Sequence, residues 1–332
     1  MELSYPSFYT EFKCIAGDCP DSCCHEWEVQ VDEQSAARYR AMEGELGDAL
    51  REALYDEEGM TYLRNRDNRC PMWRADGLCR IQAEQGHDAL CRVCQQFPRL
   101  RHDYGTFVEQ GLEMSCPEAA RLILADPDYG ITAQTIPGGE EPEYDALDME
   151  ILRTTRNRAV EILLDRSLTV GQSLAALLVY GAAAQSMLDS GEAEEFDLSA
   201  SLEFAETFAK PGDMKAIRSF FGGLEILTDR WQTLLSQAPV RTEWQEADRA
   251  FARYLVERYW LQAVSDLDLA CRVKFVVISC LLVRSLPGPR THTAQLYSKE
   301  IENNDANAEA VLDAAYTNRA FADDRLLGLL LS

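Results

Sequence analysis

Basic charge is in short supply in this sequence. Its 332 residues include 32 Lys and Arg against 56 Asp and Glu, a formal net charge of −24. Binding to duplex nucleic acid needs a basic face, so no nucleic-acid partner is expected. An acidic surface suits a basic or lysine-bearing partner, or serves solubility alone. Long apolar runs are also missing. One of the longer ones, residues 275–283 with Ser279 inside it, has nine residues, far short of the roughly 20 that cross a bilayer, and no membrane role is expected. The opening MELSYPSFYTEFKC carries two acids and no apolar run, so neither a signal nor a transit peptide is expected and the location reads as cytoplasmic. No G-x-G, Walker A, G-x-S-x-G or H-E-x-x-H pattern occurs. The dinucleotide fingerprint, the glycine-rich loop of the commonest methyltransferase fold, the hydrolase elbow and the zinc-protease helix are thereby excluded.

Cysteine, in contrast, is plentiful and unevenly placed. Nine of the eleven fall in the first 116 residues, and only Cys271 and Cys280 follow. In a reducing compartment an odd, clustered set points to metal binding or catalysis rather than to disulfides. This first part is broken by glycine and proline at short intervals and reads as loops and short helices, with a charged exposed helix over 33–54 and a strand over 27–31. Residues 126–143 hold three prolines and three glycines and read as a linker. Apolar spacings of three and four then predict helices over 147–164, 168–188, 244–263, 269–286, 308–316 and 319–331, with a further stripe from Met214 to Leu234. The expected fold is mainly α: a cysteine-rich, irregular metal-binding part (1–125) packed on a C-terminal α-helical bundle (144–332).

The nine early cysteines form the groups C-x4-C-x3-C-C (Cys14, Cys19, Cys23, Cys24), C-x8-C (Cys70, Cys79), C-x2-C (Cys91, Cys94) and the lone Cys116. Soft thiolates suit zinc or iron–sulfur, and a mononuclear site needs at most four of them, so either two sites exist or some thiols are structural. Buried reduced thiols are the alternative. Cys91 and Cys94 share a face if helical, which makes them a ligand pair. Ser115, Cys116 and Pro117 resemble N-cap, N1 and N2 of a helix, where the dipole favours a thiolate. Cys271 and Cys280 lie nine positions apart on a helix, about 180° around its axis, and read as core thiols. His25, His87, His102 and His292 are scattered, and only His25, next to Cys24, lies near the cysteines in sequence. The radical S-adenosylmethionine signature C-x3-C-x2-C is not met: Cys19 and Cys23 satisfy its first interval, but Glu26 stands where the third cysteine belongs.

Three blocks, FKCIAGDCPDSCCHEWEVQVD, CPMWRADGLCRIQAEQGHDALCRVCQQFPR and LEMSCPEAARLIL, resemble the cysteine blocks of the bacterial flagellin lysine-N-methylase family. That family is itself related to small zinc- or iron-chelating proteins with a CxxxCC motif. The likeness covers about residues 8–125, and YSKEIEN at 297–303 resembles a short block near the carboxyl end. One departure is visible: Glu26 precedes Trp27 where the family commonly has glycine, so any positive φ served by that glycine is met differently here. The resemblance implies S-adenosylmethionine-dependent N-methylation of flagellin lysines, with an iron–sulfur cluster (4Fe-4S, or else zinc) held by Cys14, Cys19, Cys23, Cys24, Cys70, Cys79, Cys91, Cys94 and Cys116. An acid beside Cys116, Glu113 or Glu118, would help deprotonate the amine. Glu118 also has a structural reason to be acidic, at the start of a helix. A redox or sensing module, and a zinc-stabilised adaptor, are the readings from other classes.

Overall fold

The computed structural model describes residues 1–25, 29–67, 69–240 and 242–332. Glu26, Trp27 and Glu28, which carry the departure noted above and the first residues of the expected strand, lie outside them. The chain is mainly helical, with a small sheet portion.

The N-terminal elements are β1 (Glu2–Pro6), β2 (Val29–Val31), α1 (Glu33–Ala41), α2 (Gly44–Ala53), β3 (Leu54–Glu57), β4 (Met60–Leu63), α3 (Arg80–Gln85), α4 (Arg92–Gln96), β5 (Arg99–Asp103), β6 (Phe107–Leu112), α5 (Pro117–Ile123) and β7 (Ile131–Thr135). Two sheets result, ordered β5-β6-β1-β7 and β2-β4-β3. In the first, β1 runs parallel to β6 and antiparallel to β7. The β3–β4 hairpin turns on Glu58 and Gly59, both at positive φ (51° and 81°), as a two-residue turn matching strand twist requires. The helix expected over 33–54 is two helices. Met42 and Glu43 are extended and Gly44 sits at φ +81°, and α2 folds back so closely that a Cβ on Gly47 would lie 1.9 Å from the Met42 carbonyl oxygen. Nor is it wholly exposed, because Tyr39, Leu46 and Leu50 are buried.

The helical part comprises α6 (Ala146–Leu164), α7 (Val170–Ser190), α8 (Leu198–Phe208), α9 (Met214–Gly222), α10 (Asp229–Ser236), α11 (Glu246–Tyr259), α12 (Leu269–Ser285), α13 (Arg290–Tyr297), a π-helical turn Ser298–Glu302, α14 (Asp305–Thr317) and α15 (Asp323–Leu330). Their ends are written in the sequence. Asp145 caps α6, Thr169 and Gln172 form a capping box on α7, and Gly191 closes α7 in the left-handed conformation, each satisfying end groups that have no partner within the helix. The stripe from Met214 to Leu234 is divided between α9 and α10, because Thr228 starts a new helix by accepting from the Trp231 N–H.

Two hydrophobic cores form. The larger one centres on α7, α11 and α12 and takes in Phe8, Phe12, Phe107 and α5 from the N-terminal half. The smaller one gathers Val29, Val31, Tyr39, Leu50 and Leu63 with Met72, Ile81, Cys70 and Cys91. Cys271 and Cys280 are buried in α12, as expected of core thiols.

Candidate metal centre

The loops of the small core bring the cysteine blocks together. The Cys70 N–H donates to the Cys24 carbonyl oxygen at 2.7 Å, which places the second block against the first. Thiol contacts then run from Cys23 to Cys24 to Cys70, and Cys91 meets Cys94 across one turn. Cys79 lies within electrostatic reach of Cys23, Cys70 and Cys91, and Cys94 within reach of Cys23 and Cys24. Cys14, Cys19 and Cys116 interact with one another, and Cys19 with Cys23. All nine early cysteines therefore belong to one patch, from which Cys271 (neighbours Asp268 and Asp266) and Cys280 (Asp248 and Arg290) are excluded. Among the described residues, no three His, Cys, Asp or Glu side chains take up a ready metal-holding arrangement. Five of the thiols are engaged in pairwise contacts, Cys23–Cys24–Cys70 and Cys91–Cys94, and the others lie within electrostatic reach.

The electrostatics of the patch disfavour uncompensated thiolates. Hydrogen bonding to Cys24 and burial raise Cys23, and hydrogen bonding to Cys91 and burial raise Cys94. The contact with Cys23 lowers Cys24, but Cys70 and burial outweigh it and leave the thiol at about 12. Cys91 alone is lowered far, to about 7, chiefly by Cys94. Cys116 is the N-cap of α5, one position earlier in the helix than the sequence suggested, with Pro117 at N1. The N–H groups of Ala119 and Glu118 do pull its thiol down, but burial is the larger effect and pushes it up to about 12. The dipole stabilisation expected at this helix start is outweighed. A bound cation would reverse the balance, since metal ligation deprotonates thiols. An all-sulfur donor set of this size fits an iron–sulfur cluster or zinc in chemistry.

One wall of the patch comes from the far end of the chain. Asp21, between Cys19 and Cys23, has a side chain only 6% exposed and is paired with Lys299 at 3.3 Å and Arg230 at 3.0 Å. Burial opposes its ionisation, but Lys299, the Ser22 N–H and Arg230 more than offset this and hold its carboxyl below the usual range. Gln295 Nε2 donates to Asp21 and to the Ser115 carbonyl, and Asn303 Nδ2 donates to Ser115 Oγ at 3.0 Å. Ser115 Oγ in turn donates to Glu113 at 3.1 Å. Behind Glu113, the fully buried Glu302 accepts from the Tyr254 and Tyr259 hydroxyls and pairs with Arg258. The YSKEIEN block thus forms the π-helical turn, a feature frequent at functional sites, and supplies Lys299, Glu302 and Asn303. Burial raises the Glu113 carboxyl, which Arg258 opposes and Glu302 reinforces. Both Glu118 oxygens are taken by Arg121 (2.8 and 2.7 Å), which lowers its pKa.

Asp21, Gln295 and Arg258 were not singled out from the sequence. None of the three carried a usable signal: Arg258 stands beside Glu257 in a helix with charges on several faces, and Asp21 and Gln295 are ordinary polar residues in sequence. Of the histidines, His25 packs edge-on to Trp73 at 4.5 Å, His87 and His292 are exposed, and His102 lies on β5. No family model, curated protein or solved structure matches the chain.

Proposed function

We propose that this protein is a cysteine-ligated iron–sulfur enzyme that transfers methyl groups from S-adenosylmethionine to lysine side chains of flagellin in the cytoplasm. The carrying observation is the convergence of the nine thiols from separate blocks on one patch. The substrate and the cofactor rest on the resemblance of those blocks, and of YSKEIEN, to the methylase family. When bound, the cluster supplies redox and Lewis-acid chemistry at iron. Asp21, Gln295, Lys299 and Asn303 fix the loops that carry Cys19, Cys23 and Cys116. Glu113 is the proton acceptor: a lysine ammonium must lose its proton before alkylation, and a carboxylate whose pKa is raised is the better match for that task. Glu118, held by Arg121, serves α5.

Protein purified without oxygen should be brown and carry several irons and sulfides per chain, and it should add single-methyl mass increments to flagellin lysines when given S-adenosylmethionine. Cys94→Ala and Cys116→Ala should lose transfer, whereas Cys271→Ala and Cys280→Ala should keep full metal content. Colourless protein with stoichiometric zinc overturns the iron–sulfur assignment. Iron-replete protein that leaves flagellin unmodified overturns the methylase.

A further inference from the structure

The face of the four-stranded sheet turned toward α6 and α11 does not pack solidly on them. A cavity of about 340 Å³ lies between, with Ser4, Gly111 and Ala133 among the sheet residues that line it. A Cβ on Gly111 would meet no atom within 4 Å, so the space stands open above that residue. Its volume falls in the range of small-molecule sites.

The walls carry charges of both signs. Arg156 makes a bidentate pair with Glu109, at 2.7 Å for both hydrogen bonds, and both side chains are less than one-fifth exposed. Arg253 pairs with Glu257 at 2.9 Å and stacks on the Tyr129 ring at 3.6 Å, and the Tyr129 hydroxyl donates to Glu257 at 2.6 Å. Arg258 also lines the cavity, and its ion-pair partner Glu302 is held by the Tyr254 and Tyr259 hydroxyls. Burying several ion pairs around empty space is costly, and apolar residues would fill such a sheet–helix gap with less penalty. His102, on the same wall, has a buried Nε2 with no hydrogen-bond partner among the described residues. Burial and Arg258 hold its imidazole toward the neutral form. Phe8 and Tyr129, edge to face at 4.8 Å, add an apolar flank.

We infer that this cavity binds a small zwitterion with an α-amino-acid head and an apolar or aromatic body. A simple anion would face Glu109 and Glu257, and a simple cation would face Arg156, Arg253 and Arg258. A ligand carrying both charges meets a complement at each end. Because the site stands on its own lining, the inference does not rest on methyl transfer. The chemistry has two sources, a free amino acid or the amino-acid end of an adenosylated cofactor.

Calorimetry on the full-length protein distinguishes them, with methionine, S-adenosylhomocysteine, 3-(methylthio)propylamine (no carboxylate) and 4-(methylthio)butanoic acid (no amine) as probes. At least one zwitterion should bind, and each single-charge analogue should bind at least tenfold more weakly than the tighter zwitterion, or not at all. Gly111→Leu, and independently Ala133→Leu from the edge strand β7, should weaken the zwitterion at least tenfold with an unchanged circular dichroism spectrum. Tighter binding of S-adenosylhomocysteine assigns the site to an adenosylated cofactor, and tighter binding of methionine assigns it to a free amino acid. The inference is overturned if neither zwitterion binds, if a single-charge analogue binds as well as the tighter zwitterion, or if both folded variants bind like the parent.

Discussion

Asp32 serves two elements with one carboxylate. Its Oδ1 accepts from the Ser35 N–H at 3.0 Å, capping α1, and its Oδ2 accepts from the Arg92 N–H at 2.9 Å, at the start of the turn that presents Cys94. The Arg92 bond, ahead of those from Ser35, lowers its pKa. A carboxyl lowered by folding contributes stability that is present above its unfolded pKa, near 3.9, and is lost as pH falls through the folded value. Asp32→Ala should therefore cost about 1–2 kcal/mol at pH 6, and the gap between parent and variant should shrink on titration below about pH 4. Denaturant melts at pH 6 and at pH 3 check this, and a gap of constant size would contradict it. The cap was open to reading from an aspartate just before a helical pattern. The bond to Arg92 was not, because it joins positions 60 residues apart.

At the scale of elements, α7 and α12 approach so closely that a Cβ on Gly181 would lie 2.7 to 2.9 Å from the side-chain atoms of Val273. Alanine is the better helix former by about 1 kcal/mol, whereas overpacking a core typically costs about 1–3 kcal/mol. Gly181→Ala should destabilise the parent protein and stabilise a Val273→Ala background. A double-mutant cycle reads that reversal of sign, and equal effects in both backgrounds would show that the helices relax apart. Helices α6, α7, α11 and α12 were legible because their apolar residues recur at helical spacing. α13 was not: RTHTAQLY is largely polar in sequence, yet Thr293 and Gln295 are buried against α5 and the cysteine loops. The break at Gly44 escaped because a single backbone conformation leaves no mark on hydrophobic period. The seven strands among the described residues are short, and β1 pairs with β6 across about a hundred residues, a partnership that local pattern does not encode. The grouping of the early cysteines was legible in their spacings. The meeting of Cys24 with Cys70, and the Lys299 wall, depend on tertiary packing.

Across the whole molecule the two cores are built differently. The large one unites the β1–β6 sheet and α5 with the helices. The small one, within residues 29–94, sets Cys70 and Cys91 among its apolar residues and packs Cys24, Cys79 and Cys94 against them. A core of this size is marginal alone and needs a staple. Here the thiols occupy the place of the staple, so binding a metal would contribute directly to folding this part. Asp21, pinned by Lys299, Arg230 and Gln295, ties the loop that leads into it to α13. On the proposed metal assignment, chelation under anaerobic conditions should therefore abolish amide-exchange protection in β2, β4 and α1 while leaving α7, α11 and α12 protected, because those helices draw on the other core. Exchange measured by mass spectrometry on the metal-loaded and stripped protein gives the result segment by segment. Uniform loss across the chain would show one cooperative unit, and unchanged protection of β2 and β4 would show that the small core holds without its thiols engaged.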